Sequence, residues 1–200
     1  MRGSNGALLN APQKDQKMNV TGICGSLREA SLNKKLLSNA MGMLSKMPDV
    51  TIRNIDLKAA QLPLFNEDIE LRSFPETARE LSQIIALSDA IIISSPEYNA
   101  SISSPLKNFV DWISRTKPQP FFRKRVLLMA ASPGALGGIR GLQHTRIPFD
   151  NLGCFVFPEY YSLPQAHLSF EQNDEIKDPQ RRERLSKLLS EFIKPPVFSK

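Results

Sequence analysis

Two stretches of this chain, Ala90-Ile91-Ile92-Ile93 and Arg125 to Ala131, are almost unbroken apolar runs with no polar face. A strand of that kind must be covered on both sides, which is the mark of the middle of a parallel sheet. Each run stops abruptly at a turn of small polar residues, and each turn leads into a segment with helical spacing. After the first run the stripe is Leu106, Phe109, Val110 and Ile113; after the second, a helix is expected from about Ile139 to Leu152. Met18 to Cys24, with Val20 and Ile23 apolar, repeats the arrangement and is followed by Leu32, Leu36, Leu37, Ala40 and Leu44, a helix expected to end near Met47. Strand and helix alternate along the whole ordered chain, so a parallel sheet covered on both faces is expected.

The remaining elements are read in the same way. Val50 to Asp56 alternates weakly and suits an edge strand. Leu57 to Arg72 reads as a long functional loop around Leu62-Pro63-Leu64-Phe65-Asn66-Glu67-Asp68. Ser73-x-x-Glu76 has the form of a capping box before a helix carrying Leu81, Ile84 and Ile85. Ser104 before Pro105 suits the cap and first position of a helix. Phe155-Val156-Phe157 gives a fifth strand, Leu163 to Phe170 a further extended segment, and Leu185, Leu188, Leu189, Phe192 and Ile193 the face of a closing helix. Residues 1–17, opening Met-Arg-Gly-Ser like an expression-vector leader, are expected to be disordered; residues 18–194 form one domain, and residues 195–200 a tail.

The net charge is +6, but the basic residues are spread along the chain, so a nucleic-acid partner is not expected and a modest attraction for anionic small molecules is. Cys24 and Cys154 lie far apart in apolar runs and form no redox or zinc motif. His144 and His167 have no acidic or cysteine partner at a suggestive spacing, so no metal site is expected. No stretch has the length of a transmembrane helix, and a cytoplasmic protein is expected.

In parallel sheets ligands bind beyond the carboxyl ends of the strands. Three turns should meet there: Gly25 to Asn33, Pro96 to Ser101 and Ser132 to Gly138. The first leads into a helix N-terminus, where free backbone N–H groups and the helix dipole favour an anion, and it adds Ser26, Arg28, Ser31 and Asn33. Taken alone, that turn has two readings: a phosphate cup, or a helix capped by Ser31 with Arg28 a solvated charge. It is not a P-loop, since no Gly-x-x-x-x-Gly-Lys-Ser/Thr occurs, and not a dinucleotide fingerprint, since Cys24 and Leu27 stand where the second and third glycines would be needed. The second turn offers Tyr98 and Asn99. The third carries Gly134, Gly137 and Gly138, whose lack of a Cβ would let backbone N–H groups approach a flat ring. A flat polar ring joined to a monophosphate is flavin mononucleotide.

These residues resemble the flavodoxin-like NAD(P)H-dependent FMN reductases, a family that includes quinone, chromate and azo reductases. The resemblance is carried by Gly25-Ser26-Leu27-Arg28-x-x-Ser31-x-Asn33, by Pro96-Glu97-Tyr98-Asn99 with Leu106-Lys107-Asn108-x-x-Asp111-Trp112, and by Ser132-Pro133-Gly134-Ala135-Leu136-Gly137-Gly138, and it spans about Met18 to Lys194. It implies a flavodoxin-like, doubly wound, five-stranded parallel sheet of order 2-1-3-4-5 with helices on both faces. Ser26, Arg28, Ser31 and Asn33 would hold the FMN phosphate. Pro96, Glu97, Tyr98 and Asn99 would line the isoalloxazine ring, and Ser132, Gly134, Gly137 and Gly138 would close its other edge. Ser103-Ser104-Pro105 departs from the Pro-Gly that many relatives carry here.

The absence of a nucleophile or acid–base pair fits a reaction in which the cofactor carries the chemistry. Hydride would pass from NAD(P)H through flavin N5 to a quinone, flavin, azo or metal-oxyanion acceptor by a ping-pong mechanism. A homodimer or homotetramer is implied, with the region of Leu64 and Phe65 covering a neighbour's flavin. Two rival readings are a non-catalytic flavodoxin-type electron carrier and a flavin-sensing interaction module.

Overall fold

A computed structural model describes residues 17–194, so the expected leader and tail lie outside the described residues apart from Lys17. Its centre is β3 (Ala90–Ser94), every residue of which is buried. β1 (Met18–Cys24) and β4 (Arg125–Ala131) flank it in parallel, with Val20 opposite Ala90 and Ala90 opposite Arg125. β2 (Val50–Ile55) forms one edge, half exposed, as its weak alternation implied. The order β2-β1-β3-β4-β5 is the doubly wound order expected.

The other edge differs from expectation. β5 covers only Phe155–Val156, beside Arg125 and Val126; the chain then leaves the sheet and returns as β6 (Tyr161–Leu163), beside Met129 to Ala131 on the same strand. Pro158 explains the gap, because a proline cannot donate to the ladder. Arg146 bridges the break, donating from Nη2 to the Val156 carbonyl and from Nη1 to the Phe157 carbonyl, each at 3.2 Å. The segment expected to extend through Phe170 instead turns into a short 3-10 helix at Ala166–Leu168.

Alternation along β3 divides the core. Ala90 and Ile92 face α1 (Leu32–Leu44) and α7 (Pro179–Ile193); Ile91 and Ile93 face α4 (Glu76–Ala86), α5 (Ser104–Ile113) and α6 (Ile139–Asn151). No helix among the described residues is long and apolar enough to cross a membrane.

Several local expectations are corrected. The long loop after β2 contains two short helices, α2 (Leu57–Ala60) and α3 (Glu67–Arg72), begun by Asp56 and Asn66, whose side chains accept the next turn's N–H groups. Ser73 does not cap α4: it ends α3, and α4 starts after Pro75 with no side-chain cap. The first helix ends at Leu44, three residues before Met47. Ser103, not Ser104, is the cap residue of α5, and its hydroxyl points elsewhere.

Candidate functional site

The three predicted turns do meet at the carboxyl edge of β1, β3 and β4. Loop 1 follows β1. Gly25 N–H donates to the Ser94 carbonyl at 2.9 Å, which keeps the loop beside β3 for one residue beyond the strand. Ser26 and Ser31 are buried at the mouth, whereas Arg28 is exposed and makes no ion pair among the described residues. Ser31 caps α1, its Oγ accepting from Lys34 N–H at 3.4 Å. The N–H groups of residues 29–33 find no acceptor among the described residues. Orphaned donors at a helix start, two hydroxyls and a free guanidinium suit a phosphate dianion. Ser31 therefore caps the helix, and the loop still presents donors beside it.

Asn33 is placed differently from the other three. Its Nδ2 donates to the Ala131 carbonyl and its Oδ1 accepts from Ala131 N–H, both at 2.9 Å, while Ser94 Oγ donates to the same Oδ1 at 3.1 Å. The side chain acts as a clamp between α1 and the ends of β3 and β4.

Loop 2 follows β3. Tyr98 and Ser101 exchange backbone hydrogen bonds of 3.0 Å, and Asn99 and Ala100 between them take φ of 49° and 61°. That is the geometry of a tight two-residue hairpin, held here without glycine. Tyr98 and Asn99 stand exposed at the tip, with Pro96 half-buried behind. Glu97 turns away from the rim into the start of α6. Its Oε1 accepts from Arg140 Nε at 3.0 Å and Nη2 at 2.5 Å, and its Oε2 accepts from Gly141 N–H at 3.0 Å. Burial would raise this carboxyl, but the Gly141 N–H and the Arg140 guanidinium outweigh it and hold it below its ordinary value.

Behind loop 2 lies a knot of serines that the sequence reading did not assign. Ser103 Oγ donates to the Gly25 carbonyl at 2.7 Å and lies 3.2 Å from Ser95 Oγ, joining loop 2 to loop 1. The departure from Pro-Gly thus supplies a tie between two rim loops.

Loop 3 follows β4. Ser132 N–H donates to the Leu163 carbonyl at 3.1 Å, and Gln165 N–H to the Gly134 carbonyl at 3.2 Å, so β6 and its turn brace the loop from outside. Gly134 is exposed, and a Cβ there would meet only Ser132 Oγ at 3.6 Å. Gly137, expected at the ring, is required for a different reason: φ is +59° and a Cβ would lie 2.2 Å from Ser162 Oγ. Gly138, also with positive φ, packs on Ala130 at the start of α6. Both are buried supports of the turn rather than open surface.

Lys107 pairs with Asp111 along α5. Asn108 instead accepts from Phe65 N–H at 2.7 Å and donates to the Pro63 carbonyl at 2.9 Å, which Trp112 Nε1 also reaches at 2.7 Å. These bonds hold the segment between α2 and α3 rigid, with Leu64 80% exposed at its tip. Beside it a cavity of about 430 Å³ runs between Leu27 of loop 1 and Pro105.

The sequence profile of the family described as NADPH-dependent FMN reductase matches residues 18–168, which contain all three rim loops. An NAD(P)H-dependent FMN reductase of Pseudomonas aeruginosa is 33% identical over 172 residues, covering 85% of this chain and 90% of that protein. A quinone reductase of Escherichia coli is 31% identical over 185 residues, covering 88% of this chain and 94% of that protein. Among solved structures, the flavoenzyme NAD(P)H:(acceptor) oxidoreductase FerB of Paracoccus denitrificans superposes with a TM-score of 0.76 at 26% identity, covering 88% of this chain and 94% of that one. With this profile match and these relatives, the chain belongs to the NADPH-dependent FMN reductase family and is an NAD(P)H-dependent oxidoreductase that works through FMN.

Proposed function

We propose that this protein passes reducing equivalents from NAD(P)H to a small-molecule acceptor at the rim built by loops 1, 2 and 3. The observation that carries this reading is the convergence at one sheet edge of a loop with orphaned donors, loop 1, and two loops braced by their neighbours, loops 2 and 3. Ser26, Arg28, Ser31 and the N–H groups of residues 29–33 hold the phosphate. Pro96, Tyr98 and Asn99 line one side of the ring, and Ser132 and Gly134 the other. Asn33, Glu97, Gly137 and Gly138 support these loops from behind. FMN held there would supply hydride chemistry at N5 between NAD(P)H and an acceptor, in two half-reactions, so ping-pong kinetics are expected.

The chain's own residues bind and orient. Tyr98, 41% exposed, and Leu136, 56% exposed, give apolar surface on which a nicotinamide or an acceptor ring can rest. Quinones are proposed among the acceptors because relatives from Escherichia coli and Solanum tuberosum are a quinone reductase and an NAD(P)H:quinone oxidoreductase; free flavin, azo dyes and metal oxyanions complete the class. A second copy of the chain is proposed to cover Leu64 and Leu71, 80% and 85% exposed on the rigid segment around α3, and the protein is proposed to work in the cytoplasm.

The test is optical. Purified protein should be yellow, should keep its colour through dialysis, and should bleach when NADPH is added without oxygen. Arg28→Ala with Ser31→Ala should lose the colour on dialysis; unchanged retention would overturn the assignment of the phosphate site. Failure to bleach without a partner reductase would favour an electron carrier instead.

A further inference from the structure

Loop 2 leaves the sheet at Pro96 and rejoins the body at Ser103, and between these points its tip projects from the rim. Asn99 and Ala100 sit in the left-handed region, a conformation that an alanine keeps only where the surroundings impose it. What imposes it is contact with the first turns of α6. The Glu97 carboxylate, only 12% exposed, takes all three of its bonds from Arg140 and Gly141. One turn further along the helix, His144 Nδ1 lies 3.1 Å from Ser101 Oγ. The two backbones touch: a Cβ on Gly141 would lie 2.9 Å from Glu97 Cα and 3.1 Å from the Ser101 carbonyl oxygen. Gly141 is therefore a close-approach glycine, and loop 2 is seated on it.

Since α6 begins where loop 3 ends, whatever fixes loop 2 to α6 also fixes it to loop 3. We infer that Glu97 is a positioning residue: its carboxylate latches loop 2 onto the first turn of α6 and so fixes where loop 2 stands relative to loop 3. Glu97 acts on the ring through Tyr98 and Asn99 and does not touch it. Arg140, 57% exposed, contributes the weaker half of the latch, because an exposed guanidinium is screened by water, while the Gly141 N–H is the directional half. The consequence for cofactor binding rests on the flavin reading above; the latch itself does not.

Three variants separate these statements. Glu97→Ala removes the latch, Glu97→Gln keeps an oxygen that can accept from Gly141 N–H, and Gly141→Ala pushes loop 2 off α6 while the chain keeps its Glu97 carboxylate. Hydrogen–deuterium exchange on the flavin-free protein reads the Tyr98 and Ser101 amides, which the hairpin protects. Exchange there should rise about tenfold in Glu97→Ala and Gly141→Ala and about threefold in Glu97→Gln, with β3 and β4 amides unchanged. Quenching of FMN fluorescence should show the dissociation constant rising in the same order.

Wild-type exchange at Tyr98 and Ser101 in Glu97→Ala would overturn the latch. So would Gly141→Ala binding FMN as wild type while Glu97→Ala does not, since that pattern would put the carboxylate on the ligand itself. Should Glu97→Ala fail to fold, Glu97→Gln and Gly141→Ala still decide. If wild-type protein binds no FMN, the flavin reading falls, and the exchange result alone still upholds or rejects the latch.

Discussion

Loop 1 and the pair formed by loops 2 and 3 lie on one edge of one sheet, yet they are built in opposite ways. Loop 1 leaves donors open: the N–H groups of residues 29–33 and the guanidinium of Arg28 have no acceptor among the described residues. Loops 2 and 3 leave little open, because Glu97, Gly137 and Ser132 are bonded or packed against α6, β6 and the turn after it. The difference fits the division of labour proposed for them. An anion is held by groups that folding leaves unsatisfied, whereas a ring is held between walls that folding has made rigid. Loss of a group already committed to a neighbour, such as Gly137 or the Asn33 clamp, should therefore appear first as lost stability, and loss of an open donor such as Arg28 as lost affinity with the fold unchanged.

The strongest test of the walls is Gly137→Ala. A Cβ 2.2 Å from Ser162 Oγ and 2.8 Å from the Pro164 nitrogen, at positive φ, should cost about 3 kcal/mol from combined overpacking and backbone strain. Urea titration followed by circular dichroism measures it; a cost below about 1 kcal/mol would show that loop 3 yields and is no wall. Asn33→Ala comes next. It strands the buried N–H and carbonyl of Ala131 and should cost about 2 kcal/mol in the same titration, and it should weaken FMN binding only through displaced loops.

Arg28→Ala should do the reverse. Its unfolding midpoint should match wild type, and FMN should bind about 10- to 100-fold more weakly, the worth of a charge-assisted phosphate contact of about 1.5–3 kcal/mol. If it destabilised the fold as Asn33→Ala does, the contrast between open and committed groups would fail. Ala100→Gly should stabilise by about 0.5–1 kcal/mol, by relieving an alanine at φ 61°.

A control away from the rim comes from alkaline pH. Burial pushes the Cys154 thiol up to about 12 from 9.0 and the Tyr161 phenol up to about 12 from 10.0. Both groups ionise less readily folded than unfolded, so their stabilisation is complete below about pH 9 and is lost as the pH rises toward 12. The unfolding midpoint should fall across that window, while the relative ranking of the loop variants stays the same.

Much of this was legible in the chain itself. The all-apolar Ile91-Ile92-Ile93 required a strand covered on both faces, and the structure puts it at the centre of the sheet. The three rim turns were found from the places where apolar runs end. The individual duties within those turns were not. Asn33, Glu97 and Gly137 look like ligand groups in sequence, because an amide, a carboxylate and a glycine suit a cofactor as well as they suit a neighbouring backbone. Which partner each one meets depends on residues 98, 44 and 25 positions away in sequence, namely Ala131, Gly141 and Ser162. The split of the last strand was marked in sequence by Pro158, but the rejoining of β6 was not, since three residues are too few to show a period.

What the amino-acid order determined alone is therefore the alternation of elements, the two-sided burial of the middle strands and the positions of the turns, all of which follow from local periodicity and turn chemistry. Which polar groups stay open and which are consumed was decided only by the tertiary structure. Hydrogen-bond partners are settled by proximity in space, and only the folded sheet brings loop 2 onto α6 and leaves the start of α1 bare.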